Sequence, residues 1–457
     1  MTQALIYFLS FFLGISGASL KHIPNATPKV QHKTNTARKG IKKVGHVIVL
    51  YMENHSFDNL YGEFPGADGL ANATRANYTQ LDTATEKPYI MLPWNDTEHF
   101  HPVPVLANKF FNIDQFLPPS ALTLDLVHRY YQEIEQIDGG KMDKFAAVSS
   151  AKGLSMGYYH TSDFPVAQNE AANYTLCDRF FHSAFGGSWL NHIWTIAAAT
   201  PQWKDAPASM CAVLDKKGHL IKDGGATPEG YLVNTVYSVY TPHPKVKDEK
   251  TLVPGLTIPT IGDRLSEKNI DWAWYSGGWN DALAGHPDSL FQYHHQPFEY
   301  FKNYADGTAA KAAHLRDEND FIAQAKAGTL PAVAFVKPIG ELNEHPGYAN
   351  VMAGEQHLED LINAVRNGPD WNDCVIIVTY DEHGGFWDHV APPKIDKWGP
   401  GIRVSAVIIS PFAKKHFVDH TQYETLSITS FIEKRWGLKP LSSRDAKANP
   451  LTNALTF

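Results

Sequence analysis

Two apolar runs in this 457-residue chain end abruptly on acids. In "CVIIVTYDEHGGFWDHVAPP" the run Cys374 to Tyr380 passes straight into Asp381, Glu382 and His383, then Gly384 and Gly385. In "HVIVLYMENHSFDNLYG" the run His46 to Met52 passes into Glu53 and Asn54. Read as neighbouring strands of a parallel sheet, the runs bring Glu53, Asn54, Asp381 and Glu382 to one rim, outside the carboxyl ends where ligands bind. Three carboxylates crowded there repel one another unless a positive group lies between them. Carboxylate and amide oxygens suit one hard divalent cation of the Mg, Ca or Mn class. The two glycines let the backbone turn sharply and approach a ligand closely. Each acid pair alone also reads as a helix N-cap, but two matching pairs favour a site.

"FHSAFGGSWLNHIWTIAAATP" supplies a nucleophile. Ser188 follows Gly186 and Gly187 and opens an apolar, helix-like segment, where the helix dipole lowers its pKa and backbone N–H groups face an incoming anion. The esterase elbow G-x-S-x-G is excluded by Leu190, and the G-x-x-x-x-G-K-[ST] phosphate loop is absent. His128 lies on a segment with helical spacing, His294 and His295 are adjacent in "FQYHHQPFEYF", and His345 sits in "NEHPGYA". Their spacing alone assigns them no role; two adjacent histidines enter one site from a loop, since a strand would point them apart.

The elements that must position these residues are short, continuously apolar runs: His46 to Met52, then others at Asp271, Ala332, Cys374 and Val404. Continuous rather than alternating hydrophobicity predicts strands covered on both faces, hence a largely parallel central sheet flanked by helices in an α/β fold. Residues from about Asn72 to Ala172, rich in aromatics, Asn and Pro, read as helical and loop insertions roofing the C-terminal strand edge. The start of the chain, apolar from Ala4 to Ile15 and then Gly17, Ala18 and Ser19, reads as a signal peptide over 1–19, with an N-terminal membrane anchor as the alternative. Residues 20–43 are polar and basic and read as a flexible linker, and 44–457 as one catalytic domain. With 43% hydrophobic content the chain can bury a large core, and a net charge of -8 argues against a nucleic-acid partner. Three cysteines give no disulfide framework, and Cys374 reads as an inert core residue. Six N-x-S/T triplets include Asn54-His55-Ser56, where a sugar would destroy the proposed ligand.

The ordered blocks "YMENHSFDNLYG", "GKMDKF", "GGSWLNH", "YSGGWNDA", "FQYHHQPF", "NEHPGYA" and "VTYDEHGGFWDHVAPP" resemble the motifs of the phospholipase C and acid phosphatase superfamily over roughly Val44 to Gly437. "GGSWLNH", "YSGGWNDA" and "FQYHHQPF" resemble its acid phosphatase branch in particular. The resemblance implies an alkaline-phosphatase-like fold and a single metal held by Glu53, Asn54, Asp381, Glu382 and Ser188, with Ser188 also the nucleophile. It places His128, His294, His295 and His345 around the phosphoryl group. His192 stands where related phospholipases show Arg, which puts a headgroup role for that position in doubt.

The expectation is a secreted or periplasmic acid phosphatase that hydrolyses small phosphate monoesters through a phosphoserine. The alternative is a phospholipase C acting on phosphatidylcholine-like membrane lipids, for which no docking segment stands out in the sequence; a third reading is a non-catalytic metal-binding surface protein. If cationic histidines are needed, activity peaks near or below the ordinary histidine pKa of about 6.5.

Overall fold

The computed structural model describes residues 39–457, which form one compact unit. The signal-peptide reading and nearly all of the linker lie outside the described residues. The last linker residues, Gly40–Lys43, form a single 3-10 turn, and the buried chain starts at Val44.

Among the described residues nine strands build the central sheet. In chain order they are β1 (His46–Met52), β2 (Thr175–Phe181), β3 (Trp272–Ser276), β4 (Leu315–Asp317), β5 (Val333–Lys337), β6 (Cys374–Tyr380), β7 (Arg403–Ile409), β8 (Phe417–Asp419) and β9 (Tyr423–Glu424). The spatial order is β4-β3-β5-β1-β6-β7-β2-β8, with β9 pairing β2. All pairings are parallel except those of β7, which runs antiparallel to both β6 and β2. The α/β architecture expected from the sequence is present, and each of the five apolar runs is a strand.

Every residue of β3, β5, β6 and β7 is buried. Since successive side chains point to opposite faces, both faces are covered. Burying each Val, Ile or Phe here contributes about 1.5–3 kcal/mol, which offsets the cost of holding charged groups at the strand ends. Helix α3 (Glu318–Ala327) packs on β3 and β5. Strand β2 was not foreseen, because "TLCDRFF" carries Asp178 and Arg179 in its middle. Asp178 is fully buried, and its Oδ2 accepts from the Asp68 N–H at 2.8 Å and from His420 Nδ1 at 2.7 Å.

Register decides what meets at the rim. His46 pairs with Cys374 and so on up to Met52 with Tyr380, so the next residues, Glu53 and Asp381, emerge side by side. Strand β5 pairs with β1 from Val47–Val333 to Leu50–Val336, so Lys337, its last residue, falls level with Tyr51, and its side chain reaches the rim.

Candidate active site

Ser188 is the first residue of helix α2 (Ser188–Ala197), and its Oγ donates to Glu53 Oε2 at 3.0 Å and lies 3.3 Å from Asn54 Oδ1. Asp381 Oδ1 accepts the N–H groups of Asn54 at 3.1 Å and of Glu382 at 2.8 Å, which locks the two acid pairs together. Glu382 Oε2 accepts from the N–H of Gly384 at 2.7 Å. Asn54 holds a positive φ of 70°, a sparsely populated conformation for a residue with a side chain. Gly384 is required by this packing: its φ is +62°, and a Cβ there would lie 2.0 Å from the Asn54 carbonyl oxygen.

A buried lysine that sequence reasoning missed also reaches this cluster. Lys337 Nζ lies 2.5 Å from Glu53 Oε1 and 3.9 Å from Asp381 Oδ2, and donates to the Met52 carbonyl at 3.0 Å. Its signal was present, a charged residue closing the apolar run "AVAFVK", and it supplies part of the positive charge the acids require. Burial alone would raise Glu53, but Lys337 and His295 hold its carboxyl well below the usual range. Asp381, farther from Lys337, is pushed well above its usual range by burial and by the Glu53 carboxylate beside it. Burial also raises Glu382 to about 7, against the pull of His128 and His182.

Asp381 Oδ2 and Glu382 Oε1 are fully buried and have no hydrogen-bond partner among the described residues. One lysine therefore does not satisfy the rim. The unpaired carboxylate oxygens, with Asn54 Oδ1 and Ser188 Oγ, are the donor set a hard divalent cation takes. The residues present fit such an ion.

The four sequence-predicted histidines converge here by different routes. His128 Nε2 lies 3.3 Å from Asn54 Nδ2 and 3.9 Å from Glu382 Oε1, and its Nδ1 donates to the Leu126 carbonyl at 2.5 Å. The Asn54 amide donates to Nε2 when that nitrogen carries its lone pair. Burial alone would lower this ring, but Glu382 and Asp125 outweigh it and raise its pKa to about 9. His295 Nε2 lies 3.0 Å from Glu53 Oε1, and burial lowers its pKa against that partner. His345 faces His128 with ring centroids 5.3 Å apart, and burial brings it down to about 4. His294 joins through ring contacts with His295 at 4.8 Å and His192 at 5.9 Å, and burial holds it well below the usual value. His192 is fully buried; its Nδ1 contacts the Ser188 carbonyl oxygen at 2.5 Å and its ring stacks on His295, so it braces the floor of the site.

Above Ser188 opens a cleft of about 340 Å³ lined by Asp125, His128, Arg129, Ser150, Gly187, Ser188 and Asn234. Asp125 to Arg129 belong to the insertion between β1 and β2, so the insertion walls the site as expected. Asp125, missed by sequence reasoning, lies 3.7 Å from His128 Nδ1.

Carboxylates, a lysine, histidines and a helix-borne serine gathered at the strand ends make this the candidate catalytic site. Residues 44–439 match the Phosphoesterase family, and the chain belongs to it. It is a phosphoric ester hydrolase by that membership. Among curated relatives it is 23% identical to phospholipase C B of Mycobacterium tuberculosis, over 98% of this chain and 82% of that protein. It is 24% identical to non-specific phospholipase C3 of Arabidopsis thaliana, over 89% and 72%. Solved structures similar to it include an alkaline phosphatase superfamily protein from Vibrio parahaemolyticus, 9% identical over 81% of this chain and 78% of that one, TM-score 0.33. Murine ectonucleotide pyrophosphatase/phosphodiesterase 5 is 10% identical over 64% and 94%, TM-score 0.33.

Proposed function

We propose that this chain hydrolyses small phosphate monoesters, with Ser188 as nucleophile and His128 as general acid. The observation that carries the reading is Ser188 Oγ at the start of α2, 3.0 Å from Glu53 Oε2, at the foot of a polar cleft that His128 also lines. Glu53, Asn54, Asp381, Glu382 and Ser188 would hold one divalent cation, which would lower the serine pKa and offset phosphoryl charge. Glu53 Oε2 is the nearest acceptor for the hydroxyl proton, and the α2 N-terminus favours the anionic phosphoryl group. Ser188 Oγ bonds to phosphorus as the ester P–O bond breaks, and His128 delivers a proton to the leaving oxygen. The neutral His128 then takes a proton from the water that cleaves the phosphoserine. Lys337 offsets the Glu53 charge, and His294, His295 and His345, whose pKa values burial lowers, would offer hydrogen bonds around the phosphoryl group.

A cleft of about 340 Å³ with polar walls suits a compact monoester better than a diacyl lipid. Two observations favour phospholipase C as a second reading: the relatives bear that name, and the insertion exposes apolar side chains. Ile90 is 93% and Val105 82% exposed, with Met91, Val103, Phe116 and Leu122 also exposed, on the segment that leads to His128. The sequence had shown no docking segment. Turnover on an aryl phosphate against phosphatidylcholine vesicles, with Ser188→Ala as blank, separates the readings. A dominant monoester rate supports the phosphatase; a dominant diester rate, lost on Ile90→Asp with Val105→Asp, moves the function to the lipid.

The apolar run Ala4 to Ile15 with its small residues supports export, and N-terminal sequencing of protein recovered outside the cytoplasm checks it. No helix among the described residues is long and apolar enough to cross a membrane.

A further inference from the structure

Behind the nucleophile loop lies a second cluster. Glu133 on helix α1 (Tyr130–Ile137), His182 at the end of β2, and His383 after Glu382 are all fully buried. One donor atom from each lies within 4.8 Å of the others, with His182 Nε2 3.1 Å from Glu133 Oε1. The two imidazole rings are parallel within 3°, with centroids 5.5 Å apart.

The hydrogen bonds of this cluster are incomplete in one direction only. His182 Nδ1 donates to the Ala184 carbonyl at 2.8 Å and its Nε2 faces Glu133 Oε1 at 3.1 Å, so a metal ion there would take the place of the proton these two groups share. Neither ring nitrogen of His383 makes a hydrogen bond, although Nδ1 lies 3.3 Å from Glu382 Oε2. Leaving such atoms unpaired in a dry interior costs free energy unless a ligand satisfies them. Space is kept for the donors as well: a Cβ on Gly401 would fall 2.4 Å from His182 Nε2 and 2.5 Å from Glu133 Oε1. Glu133 is itself fixed, accepting the Ile402 N–H at 3.1 Å through Oε1 and the Gly186 N–H at 2.5 Å through Oε2. Buried donors held by such hydrogen bonds suit a structural metal centre.

We propose that Glu133, His182 and His383 form a second metal site, distinct from the oxygen-rich one at Ser188. Two imidazoles and one carboxylate select zinc or a similar borderline divalent ion rather than Mg or Ca. A zinc ion there ties α1, the end of β2 and the Asp381-Glu382-His383 turn together beneath the Ser183–Gly187 loop, so that it fixes the position of Ser188 without touching substrate.

The test is zinc content by plasma mass spectrometry after loading with zinc and desalting, together with anomalous diffraction from wild-type crystals at the zinc edge. The expected result is about one equivalent of zinc that survives in Ser188→Ala and Asp381→Asn and is lost in His182→Gln and Glu133→Gln. An anomalous peak should lie between the three side chains. Zinc unchanged in both Glu133→Gln and His182→Gln, or no peak at this position in wild-type crystals, overturns the proposal. The crystal measurement needs no variant, so a misfolded substitution leaves it decisive. Because Ser188→Ala keeps this ion while abolishing turnover, failure of the hydrolase reading and failure of this site are separate results.

Discussion

His128 is the site histidine whose neighbours hold it charged. Glu382 and Asp125 outweigh burial and lift it to about 9, whereas His345 falls to about 4 and His192, His294 and His295 are also lowered. A general acid must carry its proton, so activity should fall as pH rises through the His128 pKa, later than the unperturbed value of about 6.5 would give. The position of the alkaline limb therefore tests His128, beside the expectation of an optimum near or below about 6.5. In His128→Ala the alkaline limb should vanish and kcat on an alkyl phosphate should drop about 10²–10⁴-fold. An aryl phosphate, whose leaving group needs no proton, should lose far less. Equal losses on both substrates would remove His128 from the acid role. This division of labour could not be read from the sequence, because it depends on which carboxylates lie within 4 Å of each ring, and Asp125 and Glu382 are far apart in the chain.

At the scale of elements, the turn after β6 and the start of β7 carry the strain and the charge. Gly384→Ala places a Cβ 2.0 Å from the Asn54 carbonyl oxygen at a φ of +62°, so it should displace Asn54 and Glu382. The expected outcome is a loss of activity and of metal affinity larger than the loss of stability, read from turnover, metal titration and thermal melting of one preparation. The second half of the motif, Trp387 to Val390, serves the fold. Arg403, fully buried, donates through Nε to Asp388 at 3.1 Å and through Nη2 to Asp58 at 3.0 Å, while Asp58 Oδ2 accepts from His389 Nδ1 at 2.6 Å. Burial pushes Asp388 up to about 6 even with Arg403 beside it. Arg403→Met leaves two buried carboxylates short of their cation and should cost about 3–5 kcal/mol in denaturant unfolding, while the metal-site residues remain in place. Unchanged stability would mean that water or rearrangement compensates the acids. The "WDH" run was legible as part of the resemblance, but its structural role needed Arg403, fifteen residues on and across the sheet.

For the whole molecule, the sequence was most informative where burial leaves a plain pattern. Five continuously apolar runs became strands, and the paired strand ends meet through register. It was least informative where charge is buried against charge. Strand β2 was hidden by Asp178, Lys337 was passed over at the end of its apolar run, and Glu133 and His182 carried no motif of their own. The insertion was legible as a roof, yet its exposed Ile90 and Val105 are a property of surface placement that composition does not reveal. Chelation should act on the molecule as a whole. Removal of divalent ions leaves Asp381 and Glu382 uncompensated, so turnover should cease and the melting temperature fall, and oxygen-preferring ions should restore turnover. Full activity in the chelated protein would contradict the charge argument at the rim.

The most direct measurement is mass spectrometry of the Ser188 peptide after rapid acid quench during turnover of a phosphate monoester. The account predicts a phosphoryl group on Ser188 that is absent in Ser188→Ala and accumulates in His128→Ala with an aryl substrate, because water activation then slows. A phosphoryl group on another residue, or Ser188→Ala turning over at the wild-type rate, would contradict it.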